Sequence, residues 1–144
     1  QALQTRGYWR GKPRGRVGGG KSAPLRVVTK DGFVIWVGRN SRQNELVTFD
    51  KGSPQDWWLH ARGVPGAHVL VKFDGRVIPD GVIEQAAALA AYYSASRGEA
   101  RVNVDVTQRK HVRKIKGGAA GMVTYRNEDT LVVTPRSEAE VTAG

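Results

Sequence analysis

Apolar side chains recur at every second position over several short stretches of this chain, and at helical spacing over one. Residues 25–30 and 33–37 are rich in β-branched and aromatic side chains, and Asp31-Gly32 between them is a two-residue hairpin signal. Gly38-Arg39-Asn40 ends the second run. Residues 46–49 form a short candidate strand. Trp57–Ala61 and residues 68–73 form two more, joined across a Val64-Pro65-Gly66 turn. Strand alternation puts His68, Leu70 and Lys72 on one face and Val69, Val71 and Phe73 on the other. The same rule separates Asp56, Trp58 and His60 from Trp57, Leu59 and Ala61. Trp57 and Leu59 are expected in the core, with Trp58 presented beside His60.

Residues 82–97 predict the main helix. Pro79-Asp80 supplies a start signal, Gly98 a stop, and Val82, Ala86, Leu89, Ala90 and Tyr93 the buried stripe. Residues 101–107 alternate again, with Val102, Val104 and Val106 inward. Residues 108–116 read as a short basic helix or turn with Val112 and Ile115 inward. Residues 122–125 and 130–134 suggest a closing hairpin around 127–129. This order predicts an α+β fold: a mostly antiparallel β-sheet, one main α-helix and a short basic helix.

Glycine, proline and basic residues dominate the N-terminus, so we expect a flexible basic linker over 1–24, a folded domain over 25–136 and a disordered C-terminal tail over 137–144. The chain starts at Gln1 and reads as a piece of a longer protein. It has 144 residues, 23 Lys+Arg against 13 Asp+Glu and a net charge of +10. Six of those charges lie in residues 1–24, which leaves +4 for the rest. The sign favours polyanionic partners. Absence of cysteine excludes a disulfide framework, a thiolate metal site and a cysteine nucleophile. No apolar run reaches the length of a membrane helix, and none resembles a signal-peptide core.

Residues 38–69 concentrate the candidate chemistry. Arg39, Asn40, Arg42 and Asn44 follow a strand end, where arginine forks suit phosphate and asparagines either read base edges or cap turns. Trp58, His60, Arg62 and His68 offer stacking faces and ring donors, suited to an RNA ligand. Asp56 and His60 equally suit a buried hydrogen-bonded pair. Two facing histidines with Asp56 also raise a metal or acid–base reading, but their spacing follows no established metal motif. Arg109, Lys110, Arg113, Lys114 and Lys116 form a run of cations with no acid, an electrostatic footprint for phosphates. Gly117, Gly118 and Gly121 follow and offer backbone amides. No Walker A or dinucleotide-binding glycine pattern occurs.

In order, Asp31-Gly32-Phe33, Val37-Gly38-Arg39-Asn40 with Gln43-Asn44, Asp56-x-Trp58-x-His60-Ala61, and Pro65-Gly66-x-His68-Val69 resemble the NFACT-R domain, the RNA-binding domain of the NFACT proteins. Ala90-Ala91-Tyr92-Tyr93-Ser94, Val104-Asp105-Val106-Thr107, Val112-x-Lys114, Gly121-Met122-Val123 and Thr130-Leu131 extend the likeness over residues 25–136. Ala67 departs from the serine usual there, so no role is expected for a hydroxyl at that place. The resemblance implies a non-enzymatic, cytoplasmic RNA-binding domain of an RqcH/NEMF-type ribosome quality-control factor. Its implied partners are rRNA of the obstructed large ribosomal subunit, peptidyl-tRNA and other domains of the same protein. It would support C-terminal tailing of stalled chains, with no cofactor, metal, membrane or small-molecule substrate. Bacterial members have also been labelled fibronectin-binding proteins, which leaves a matrix-binding module as an alternative. A metal-dependent hydrolase using His60 and His68 is a further one.

Overall fold

The structure is a computed structural model that describes residues 23–143. All but Ala23 and Pro24 of the expected linker lie outside those residues. β1 (Leu25–Val28) and β2 (Val34–Val37) form the expected hairpin. Gly32 takes φ 87° in its turn, and the Thr29 hydroxyl accepts the Phe33 amide at 3.0 Å.

The stretch after β2 is helical, which corrects the strand expected at residues 46–49. Asn40 accepts the Gln43 amide at 2.9 Å and so caps α1 (Ser41–Glu45), while the Gln43 side chain accepts the Arg39 amide. The chain then widens into a π-helical turn, Leu46–Asp50, closed by the Lys51 amide on the Leu46 carbonyl. Val47 and Thr48 are both buried, and a two-residue period cannot bury consecutive side chains on one face.

β3 (Trp57–Ala61) and β4 (Val69–Val71) pair antiparallel. The main helix, α2, spans Asp80–Tyr92 and ends earlier than expected. At its end Tyr93 leaves helical geometry, and the Ser94 hydroxyl donates to the Ala91 carbonyl. β5 (Val102–Gln108) follows, and a single 3₁₀ turn, Arg109–His111, takes the place of the expected basic helix. The rest of the basic run extends into β6 (Val112–Lys114), with Val112 buried and Ile115 exposed.

β7 (Val123–Tyr125) pairs with β6, whereas β8 (Asp129–Val133) pairs with β5. Residues 122–134 therefore form a crossing between two sheets and not the expected hairpin. Asn127 turns the chain there at φ 59°, and the Thr107 hydroxyl donates to the Arg126 carbonyl. The expected disordered tail holds a short helix, α3 (Glu138–Ala143), because Val141 finds a place in the core.

The fold is α+β: a six-stranded antiparallel sheet in the order β1-β2-β4-β3-β5-β8, with a two-stranded sheet of β6 and β7. Its inner face presents Val27, Ile35, Leu59, Val69, Val71 and Val104 to the alanine-rich face of α2. The other face carries Trp58 and Leu70, covered by Val47 and Val112 with Trp36, Phe49, Val123 and Tyr125 around them. Polar side chains are buried on this second face, and the candidate site lies there.

Candidate nucleic-acid interface

Trp58, His60 and His68 converge, as alternation predicts, but none is presented to solvent. Trp58 is 0% and His68 1% exposed. The Trp58 and His60 rings stack at 5.9 Å between centroids, and His68 meets both edge-on, at 5.1 and 5.6 Å. Thr48, also buried, joins this cluster to the π-helical turn. Its hydroxyl accepts Trp58 Nε1–H at 3.0 Å and lies 2.8 Å from His68 Nδ1. Burial pushes His60 down to about 4, and pushes His68 well below the ordinary histidine range with help from neighbouring His60. Both imidazoles are therefore neutral at pH 7.

Between this cluster and β7 lies a cavity of about 260 Å³, lined chiefly by Trp58, His60, His68, Pro65, Val123 and Tyr125. The Tyr125 ring sits 4.9 Å from Trp58, and its hydroxyl donates to Asp105 at 2.6 Å. Asp105, buried opposite His60, also accepts from Arg62 at 3.0 Å and Thr130 at 2.8 Å. Burial, then the bond to Asp105, pushes Tyr125 upward. Arg62 thus anchors a buried carboxylate, although its side chain stays half-exposed.

Asp56 does not pair with His60. It accepts from Lys72 Nζ at 2.5 Å and from the amides of Ser53 and Phe73 at 2.7 and 2.8 Å. Among the described residues no His, Cys, Asp or Glu cluster is arranged to hold a metal. Asn40 and Asn44 are buried structural groups. Asn40 is the helix cap, and Asn44 accepts the His68 amide at 2.9 Å while donating to the Gly66 carbonyl. The glycine amides are partly committed as well, since Gly121 donates to Glu45 and Gly118 to the Ile115 carbonyl.

The basic run divides. Arg109 is half-buried, donates through Nε to the Thr48 carbonyl and covers the Phe49 ring at 4.6 Å. Burial lowers its pKa. Lys114 pairs with Glu45 at 3.0 Å and lies 5.1 Å from the same ring. Lys110, Arg113 and Lys116 are exposed. Arg39 is exposed on the β2–α1 connection and Arg42 is exposed on α1; neither lines the cavity.

Sequence reasoning missed the aromatic partners of these cations. Lys51 Nζ lies 4.0 Å from the centre of the half-buried Trp36 ring, with Arg26 at 5.9 Å. Alternation alone could have placed Trp36 on the second face, because Ile35 and Val37 point inward. Thr48 and Tyr125 left no comparable signal, since their roles depend on the π-helical turn and on β7 pairing away from β8.

Residues 24–127 match the family described as the NFACT protein RNA binding domain. The chain is 37% identical over 139 residues to the Rqc2 homolog RqcH of Streptococcus pneumoniae, covering 96% of this chain and 25% of that protein. It is 35% identical over 136 residues to the Rqc2 homolog RqcH of Bacillus subtilis, covering 90% of this chain and 23% of that protein. The chain thus spans about a quarter of these relatives. Its fold resembles the solved C-terminal part of the fibronectin/fibrinogen-binding protein from Streptococcus suis, with a TM-score of 0.79 and 36% identity. That likeness covers 96% of this chain and 56% of that one. Among the described residues no helix is long and apolar enough to cross a membrane.

Proposed function

Because the chain belongs to the NFACT RNA-binding domain family, we propose that it is the RNA-contacting module of a ribosome quality-control factor. The observation that carries this reading is one face on which cations and aromatic rings interleave. Lys51 covers Trp36, and Arg109 and Lys114 flank Phe49, while Lys110, Arg113 and Lys116 of the same basic run are exposed. Cations neutralise phosphates, and rings accept unstacked bases. In the full-length protein this face would meet rRNA of an obstructed large subunit or its peptidyl-tRNA, in the cytoplasm, and support C-terminal tailing of stalled chains. The module itself is non-catalytic in this reading: Asp56 is tied to Lys72 and orients neither imidazole.

The test is RNA binding as a function of salt for wild type and for Lys110→Gln/Arg113→Gln/Lys116→Gln. The variant should bind more weakly. On single strands its log–log salt slope should flatten by about 0.7 for each phosphate that it no longer neutralises. Equal affinity and slope would remove these residues from the interface. The likeness to the Streptococcus suis protein raises a second reading, attachment to fibronectin or fibrinogen. Saturable fibronectin binding at physiological salt that RNA does not compete away would favour it.

A further inference from the structure

We propose that the free end of the β6–β7 hairpin is an apolar wedge that enters RNA where base stacking is broken, at a bulge. This deepens the RNA-binding reading and rests on it. Arg113 pairs with Thr124 and Lys114 with Val123, and the ladder runs one step further, the Ile115 amide donating to the Met122 carbonyl at 3.2 Å. Strand alternation puts Val112, Val123 and Tyr125 on the side that packs against Trp58 and Leu70. Arg113, Ile115, Met122 and Thr124 occupy the other side, and all four are exposed. Ile115 and Met122 thus stand next to each other, each 37% exposed.

The surroundings of this pair select a polyanion. No Asp or Glu occurs between Asp105 and Glu128. Arg113 lies on the same side of the hairpin, Lys116 follows Ile115 directly, and both are exposed. Glu45, the carboxylate that reaches the hairpin, is occupied by Lys114 and the Gly121 amide, both at 3.0 Å. It also fastens the hairpin to α1. Gly121 packs on Ser41 so closely that an added Cβ would stand 2.9 Å from the Ser41 carbonyl oxygen. Gly118 folds its backbone onto Ile115, where an added Cβ would stand 3.2 Å from Ile115 Cβ. The pair is therefore held in place before RNA arrives. Apolar side chains flanked by cations suit a gap between two unstacked bases. The apolar atoms replace base–base contact, and the cations meet the phosphates on either side. A continuous duplex opens such a gap only at the cost of unstacking, so the wedge favours RNA already broken at that step.

The experiment titrates the chain with a continuous RNA duplex, and with the same duplex carrying a single-nucleotide bulge beside a 2-aminopurine. Wild type should bind the bulged RNA at least about five-fold more tightly than the duplex, from burial of the two exposed side chains, and raise the 2-aminopurine fluorescence. Ile115→Ser/Met122→Ser should lose the preference and the fluorescence rise while keeping its salt slope, and Ile115→Leu should keep all three. RNA that binds wild type with no preference for the bulge overturns the wedge and leaves RNA binding intact. A double variant that keeps the preference, or that weakens equally on both RNAs, overturns it as well. No binding to either RNA overturns both readings. Binding of phosphatidylserine vesicles that depends on Ile115 and Met122, with RNA binding that does not, assigns the hairpin to a lipid surface and refutes the wedge.

Discussion

Lowering the pH from 7.5 to 5.0 acts on two side chains above all, His60 and His68. In the folded chain burial holds His60 at about 4, against an ordinary value of 6.5. Below pH 6.5 the unfolded chain gains a proton there that the folded chain refuses. The stability contributed is complete above pH 6.5 and is lost as the pH falls toward 4. The gap between the two values corresponds to about 3 kcal/mol in total, and about 2 kcal/mol of it is gone by pH 5. His68 is shifted in the same direction and adds to the loss. Carboxylates enter later. The Gly121 amide, then Lys114, holds Glu45 below 4.5, so its contribution persists until the pH falls beneath that value. Urea unfolding at pH 7.5, 6.0 and 5.0 measures the effect, with His60→Gln as the non-titrating comparison. Wild type should lose at least about 2 kcal/mol between the extremes, and the variant clearly less. A wild-type loss within about 0.5 kcal/mol, the ordinary scatter of surface effects, would refute the claim that these imidazoles are buried and neutral.

Asp105→Ala removes the acceptor for Tyr125, Arg62 and Thr130 and should cost about 3 kcal/mol in urea unfolding. Asn40→Ala should cost about 1 kcal/mol through loss of the helix cap, seen as a lower unfolding midpoint. Gly38→Ala places a methyl 2.5 Å from Asn44 Oδ1 and should cost about 1–3 kcal/mol and displace Asn44 from the His68 amide, visible by amide exchange at His68. Trp36→Ala should weaken single-stranded RNA by about 1 kcal/mol or more if Lys51 and Trp36 form a binding surface, measured by RNA titration.

The period-two signal in β3, β4 and β5 placed almost every side chain on its true face, because one face of each strand meets the alanine side of α2. It brought Trp58, His60 and His68 together correctly. It could not show that they are buried, since what covers them comes from distant segments, the π-helical turn and β7. The stretch at residues 46–49 looked extended because Val47, Thr48 and Phe49 favour strands. The Asn40–Gln43 cap, set a few residues earlier, starts a helix that tertiary burial then carries through. Charge alone made residues 109–116 look uniform. Only the fold shows that Arg109 and Lys114 are held by Thr48 and Glu45 while Lys110 and Arg113 face solvent.

The strand order has a kinetic consequence. β3 lies near the middle of the sheet, yet its neighbour β5 begins after α2 and about forty residues later along the chain. Until β5 arrives, β3 has an open edge with Trp58 and Leu59 beside it. Pairings of such long sequence separation slow folding relative to helical domains of this size. A nucleus of α2 docked on β3 and β5 predicts that substitutions at Ala86 or Ala90 slow folding more than they speed unfolding, read from the two arms of a chevron plot.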